Sequence, residues 1–383
     1  MTSPLPTVAP TSATARSLAP DLARGFMLLL IALAHAPAFV SHWDLGPSAL
    51  NTAAEFVRSL LAENQARPMF VFLFGYGLGQ LYQRQRARGG DWTSTRKLLR
   101  RRSLWLIVIG FANTVVLVPF DVVAVYGLTL LVLAPLVRAR DSVLWWTSAL
   151  TLVPATALLA WQSVTALAAA AGGTSITMAQ YMEPDLVAHL VASIPSWPVE
   201  TAVSTVMVVP GMLLGVWASR RRILDDPERH AALLRRVTLI FVGVSVIGRL
   251  PMALLLTGAW TTSSTPVAWA VAVAHDLTGY LGGVGMAAAV GLVAIRLGRG
   301  HGPLTTALTA LGQRSLTFYL LQSVVWLALF YPFTLDLRDD MGSAATFGIA
   351  VALWAASVLL AEWMRRAGHR GPAEVLLRRL SYR

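Results

Sequence analysis

The chain contains no cysteine, so neither a disulfide framework nor a thiolate metal site is open to it. Charge is scarce too: 13% of its 383 residues are Asp, Glu, Lys or Arg, about half the share usual in a soluble domain. Lysine is almost missing, and arginine outnumbers it 30 to 1. Nearly all the positive charge is therefore guanidinium, which binds phosphates bidentately. The sequence has no Walker A loop, no H-E-x-x-H helix and no G-x-S-x-G elbow. Phosphate-loop and metalloprotease chemistry are thus unsupported, and no metal is expected.

What is present is apolar. Hydrophobic residues make up 56% of the chain, and the mean hydropathy is +0.61. Several runs approach or exceed the ~20 apolar residues that cross a hydrocarbon core. The fold class expected is all-α: a polytopic membrane protein whose first partner is the lipid bilayer. The net charge of +12 does not point to nucleic acid, because the basic residues fall in short clusters between apolar runs. That is how loops set topology.

Along the chain, residues 1–20 read as a disordered cytoplasmic tail rich in Pro, Ser, Thr and Ala. The first span runs from about Leu22 to Val40. Ala34-His35-Ala36 imitates a signal-peptide cleavage site, but Pro37 would follow the cut and the long leader is a poor n-region. Ser48–Asn64 is amphipathic and suits a helix lying in the outer interface. Further spans are expected at Pro68–Tyr82, Ser103–Pro119, Val122–Val137, Val143–Leu167, Thr201–Ala218, Val237–Leu256, Val267–Ile295, Leu304–Phe333 and Ala344–Trp363. This makes about ten transmembrane helices (range 9–11) within a helical domain at 21–364, followed by a basic tail at 365–383.

The clusters Arg84–Arg102, Arg220–Arg236 and the C-terminal arginines fall on one side of that arrangement, together with the N-terminus. Both termini are therefore expected in the cytoplasm. Ala168–Val199, with Tyr181 and Trp197, reads either as cover for the acceptor side or as an ordinary interfacial loop.

The first span carries the chemistry. In DLARGFMLLLIALAH, ten residues separate Arg24 from His35. Eleven helical steps bring both to one face, about 16 Å apart along the axis. An ionisable group past mid-membrane normally faces the bundle interior or a wet cavity. The spacing fits a slot in which Arg24 holds the phosphates of acyl-CoA (acetyl-CoA the simplest). A pantetheine arm would then carry the acyl group towards His35, acting as general base or nucleophile. The plain alternative is a snorkelling arginine and a histidine bonded to a neighbouring helix.

Other polar groups count inward to a similar depth: Asn113 ten residues into its span, Gln322 eight beyond Arg314, and His275 nine from the outer end. Asn113 either lines a reaction chamber with His35 or bonds a neighbouring polar group for packing. Gln322 and His275 either bind substrate there or bond neighbouring helices. Asp121 at the outer rim is placed to orient His35 if their helices are neighbours. Arg314 enters its helix from the cytoplasm and is either the second group for coenzyme phosphates or simply one of the arginines that set topology. Arg67 reads as an interface anchor.

Several segments resemble one bacterial family. In LGQRSLTFYLLQS, the positions Gly312, Ser315, Leu316, Thr317, Tyr319, Gln322 and Ser323 follow the G-R-[MS]-S-L-T-x-Y-x-x-Q-S pattern of the YeiB-like membrane proteins. Gly371, Pro372, Glu374 and Arg378 follow that family's closing G-P-x-E-x-x-x-R. ARPMFVFLFGYGLG (Ala66–Gly79) and GFANTVVLVPFDVVAVYGL (Gly110–Leu128) resemble its N-terminal segments. Arg314 stands one place later than the family's usual arginine. Many members carry Asn at His35 and His at Asn113, so this chain has the pair exchanged.

An R-x10-H first helix is also the hallmark of the wider transmembrane acyltransferases. The resemblance therefore implies an acyltransferase-like scaffold in the bacterial inner membrane, moving acyl groups from cytoplasmic acyl-CoA to a small-molecule or glycan acceptor. The rivals are a small-molecule transporter built on the same polar layer and a non-catalytic scaffold.

Overall fold

The computed structural model of the protein describes residues 17–119, 121–171, 177–298 and 302–382. Most of the tail expected at 1–20 lies outside them. The described residues form helices and connecting turns, with no strand among them. In chain order the helices are α1 (Leu18–His35), α2 (Ser48–Val57), α3 (Ala66–Ala87), α4 (Trp92–Val116), α5 (Val123–Leu133), α6 (Asp141–Ala171) and α7 (Leu186–Arg220). There follow α8 (Ala231–Val237), α9 (Gly243–Leu256), α10 (Thr265–Leu297), α11 (Pro303–Gly312), α12 (Ser315–Phe330), α13 (Ser343–Arg366) and α14 (Pro372–Tyr382).

Among the described residues, six segments are long and apolar enough to cross a bilayer: Leu18–Phe39, Asp141–Ala169, Leu186–Arg220, Ala231–Leu256, Thr265–Leu297 and Ser343–Arg366. Such a chain calls for a lipid environment. Large apolar side chains such as Trp146, Val153, Leu239, Ile247 and Leu359 are exposed on these helices, as lipid-facing positions would be. The four remaining expected spans coincide with α3, α4, α5 and the α11–α12 pair. α3 and α4 carry arginines at one end, and α5 and α12 are short apolar helices.

α1 sits in the middle, packed against α3, α10, α11, α12 and α13. Ala23, Met27, Leu28 and Ala32 on it are fully buried. One end of the bundle gathers the start of α1 and the turn after α7, where Ser17 Oγ donates to the Leu224 carbonyl at 2.7 Å. The other end joins the turn after α1 to the turn before α13. There Ser41 N–H donates to Arg338 O at 3.0 Å and Ser343 N–H to Trp43 O at 2.9 Å.

Three elements differ from the sequence reading. The long run Leu304–Phe333 is two helices, broken at Gln313–Arg314. Arg314 fills in at the break by donating to the Ala310 carbonyl, and Glu374 caps the restart. α7 begins at Leu186 rather than near Thr201, so the second half of the Ala168–Val199 loop is helical. Asp185 starts it by accepting from Ala188 N–H at 2.9 Å. Ser48–Asn64 is helical as expected, but its second half, Arg58–Ala62, is a π-turn.

Candidate functional site

α1 forms where the sequence supplies good helix formers with only Ile31 β-branched between Arg24 and His35. It ends at His35 because Pro37 follows, and Ala36–Phe39 tightens into a 3-10 turn. His35 is thus held in the last turn of a buried helix, on the face that carries Arg24.

At the Arg24 end, Nη1 donates to Asp21 Oδ1 at 2.9 Å and Nη2 reaches the Leu73 carbonyl of α3 at 3.5 Å. Gly77 on α3 leaves room for this guanidinium, since a Cβ there would come within 3.0 Å of Nη2. Arg24 remains half-buried and lies near enough to Arg102 of α4 for their charges to act on each other. Two guanidiniums at one place repel, and Asp21, bonded to Arg24, and Glu374, beside Arg102, offset that repulsion.

Arg314 is committed differently. Its Nη1 donates to Ala310 O at 2.9 Å and its Nη2 to His369 O at 2.6 Å. Nearby, Glu374 of α14 accepts from the Leu316 and Thr317 N–H groups at the start of α12. Arg314 is buried and ties α11 to the α13–α14 turn.

At the other end, Arg67 in the first turn of α3 lies within electrostatic reach of His35, and also of Tyr126, Tyr280 and Tyr319. Its Nη1 donates to the Met207 thioether at 3.0 Å. No carboxylate pairs with it among the described residues. A half-buried cation bonded to a sulfur, which is a weak acceptor, holds its remaining donors in reserve. Tyr126 and Tyr319 flank Phe70 at 5.0 and 6.1 Å between ring centroids. The Tyr126 hydroxyl is buried without a hydrogen-bond partner.

The remaining sequence candidates divide. Asn113 is 2% exposed, and neither its amide nitrogen nor its oxygen has a partner. Buried amides are nearly always bonded, so this one marks a place where something else could bind. It does not hydrogen-bond His35. Asp121 caps α5, accepting from Val123 N–H at 3.0 Å and Ala124 N–H at 2.6 Å. Burial pushes its carboxyl up to about 6, although the backbone donors pull the other way. Asp121 also acts electrostatically on Tyr126 and Tyr319, at the same end as Arg67.

Gln322 donates to the Leu28 carbonyl at 3.0 Å and so pins α12 to α1, while its Oε1 stays unpartnered. His275 belongs to a second polar centre. Its Nδ1 lies 3.0 Å from Asp276 Oδ1, and Asp276 also accepts from Asn64 and Ser163. Arg249 is fully buried and donates to the carbonyls of Ser59, Leu60 and Glu63, closing the π-turn before α3. Tyr280 feels both Arg67 and Asp276 and stands between the two centres.

Sequence reasoning missed Arg67, Arg249 and Asp276 as interior groups. For Arg249 and Asp276 the signal was available: each is an ionisable residue inside an apolar run. Among the described residues no group of three or more His, Asp or Glu is placed to hold a metal.

Two family models match the chain. Residues 218–383 match one described as a protein of unknown function, DUF418, and residues 16–127, which include α1 and α3–α4, match the OpgC protein model. No curated protein matches. The first match takes in α8–α14 and the second takes in α1 and α3–α4, so each is a likeness over part of the chain, one to a family of unknown function and one to the OpgC protein family.

Proposed function

We propose that the protein is an acyltransferase of the bacterial inner membrane, moving an acyl group from cytoplasmic acyl-CoA to a membrane or extracytoplasmic acceptor. In this reading the chain crosses ten times, with both termini in the cytoplasm. The observation that carries it is the α1–α3 pair. A guanidinium stands at each end of one buried helix face, and an imidazole stands beside the second.

Arg24 binds the coenzyme phosphates at the cytoplasmic mouth, where Arg102 adds positive charge. His35 takes the proton from the acceptor hydroxyl or amine as it attacks the thioester carbonyl. The carbonyl oxygen gains negative charge in that step, and Arg67 is the cation near enough to His35 to meet it. The C–S bond then breaks, and the coenzyme thiolate receives the proton from His35. Asn113 is a further donor available to the acyl group or the acceptor. Asp121, by capping α5, and Gln322, by fastening α12 to α1, hold the walls in place.

The test is thermal unfolding of the purified protein with acetyl-CoA, for wild type, Arg24→Ala and His35→Ala. Ligand at 100 times its Kd stabilises by about 2.7 kcal/mol. We expect a shift in wild type and His35→Ala that is lost in Arg24→Ala, with turnover absent from His35→Ala. No shift with acetyl-CoA or longer acyl-CoAs would end this reading.

A second reading, small-molecule transport, draws on the His275–Asp276–Arg249 centre and the broken α11–α12 pair, since transporters build sites on discontinuous helices. Uptake into vesicles without any acyl-CoA would favour it.

A further inference from the structure

A cavity of about 450 Å³ opens at the His35 end of the bundle. Met178 and Tyr181 in its wall belong to a 3-10 turn that packs on Ala36–Phe39, the four residues directly after His35. Pro119, from the loop that carries Asp121, also lines it. The cavity therefore borders the loop that carries Asp121 and is separated from the segment after His35 by a single 3-10 turn.

Its chemistry is one-sided. Glu183 and Glu200 line it, and no Arg or Lys does, although the chain holds 31 Lys and Arg against 19 Asp and Glu. His189 lines it too. That residue is 4% exposed, and its Nε2 is buried with no hydrogen-bond partner. The imidazole edge meets the Tyr331 ring at 5.0 Å, and Glu183 is close enough for its charge to act on it. Ser193 is buried in the same wall. Two carboxylates, an idle imidazole nitrogen and two tyrosine rings make a surface that attracts an organic ammonium ion and repels an anion. The volume lies within the range of small-molecule sites.

We propose that this cavity binds a small organic ammonium ion, held by Glu183 and Glu200 with the rings of Tyr181 and Tyr331 around its body. That the bound ammonium compound is the acyl acceptor rests on the acyl-transfer reading. The binding itself does not.

The experiment is isothermal titration of the full chain in lipid nanodiscs with choline and with ethanolamine. Their neutral counterparts, 3,3-dimethylbutan-1-ol and ethylene glycol, serve as controls. We expect saturable binding of at least one ammonium probe and at least tenfold weaker binding of its neutral counterpart. Glu200→Gln, at an exposed position that leaves the fold intact, should weaken the ammonium probe severalfold. The Glu183→Gln/Glu200→Gln pair should weaken it tenfold or more, while Arg24→Ala leaves it unchanged. Equal binding of the neutral probes, binding that survives loss of both carboxylates, or no binding of either ammonium would overturn the proposal. Acetyl-CoA melts on the same preparation separate the two ideas. A coenzyme shift without ammonium binding removes only the cavity proposal, and the reverse removes only acyl transfer.

Discussion

At the scale of single residues, Arg67 has the greatest leverage on the chemistry. It looks from the sequence like an anchor at the outer interface, yet its charge reaches His35 and three tyrosines, and its hydrogen-bond partner is a thioether. If it meets the developing oxyanion, Arg67→Met should lower kcat by about 10²–10³-fold and leave the acetyl-CoA melting shift intact. Arg67→Lys, which keeps the charge but loses the fork, should fall between. Normal turnover in Arg67→Met would return the residue to an anchoring role.

Asp121 gives a pH prediction. Its carboxyl is raised from the ordinary 3.8 to about 6 by burial. The native state therefore holds the proton more tightly than the unfolded chain does, and protonation favours the fold. This contribution is fully present below about 4 and is lost as the pH rises through about 6. Between pH 4 and 7, Tm should fall in wild type by more than in Asp121→Asn, which cannot ionise. Equal slopes would mean that the carboxyl is not buried in the native protein.

At the scale of elements, α3 and α7 pack backbone against backbone. A Cβ on Gly75 would collide with the Met212 carbonyl, and one on Gly215 with the Phe72 carbonyl. Each glycine lets the other helix's backbone in, the small-residue packing that brings helices together in lipid. Gly75→Val should cost about 1–3 kcal/mol by overpacking, read as a lower Tm and earlier denaturation in detergent. An unchanged Tm would show that α3 and α7 can part without loss. Since α3 carries both Arg67 and the Leu73 carbonyl that meets Arg24, activity should fall with the packing.

The elements also show what a linear sequence can reveal. α1 was legible in place, Leu22–Val40 against an observed apolar segment of Leu18–Phe39, because its apolar run, Arg24 and Pro37 are all local signals. The break at Arg314 was not, because the groups that make it tolerable come from far along the chain. Glu374 caps α12 from 58 positions away, and His369 accepts from Arg314 across 55. The early start of α7 was hidden by Pro195 and Pro198, which read as breakers. Asp185, an ordinary N-cap signal, pointed the other way. His35 and Arg24 were legible as a pair on one helix, whereas Arg67 joined them only through the packing of α1 on α3, a tertiary fact.

For the whole molecule, the number of crossing helices decides which loops share a face. Among the described residues six are long and apolar enough on their own, and a six-span chain would turn the loop at 220–236 to the face opposite residue 17. The hydrogen bond from Ser17 to the Leu224 carbonyl argues against that, because it holds the two at one end of the bundle. So does the charge: six basic residues at 220–236 would lie outside, against the usual retention of Lys and Arg in the cytoplasm. With α3, α4, α5 and α11–α12 also crossing, both conflicts vanish.

The absence of cysteine makes the test clean, since any introduced thiol is unique in the chain. Exposed positions on the two ends are Arg88, Arg229 and Gly368 against Asp44, Ser263 and Asp340. In intact cells an impermeant maleimide should label Asp44→Cys, Ser263→Cys and Asp340→Cys, and should reach Arg88→Cys, Arg229→Cys and Gly368→Cys only after permeabilisation. The six-span arrangement exchanges Arg88, Arg229 and Ser263 in that pattern. Labelling at Arg229→Cys in intact cells would therefore remove the ten-span topology, and with it the assignment of Arg24 and the basic loops to one coenzyme-binding face.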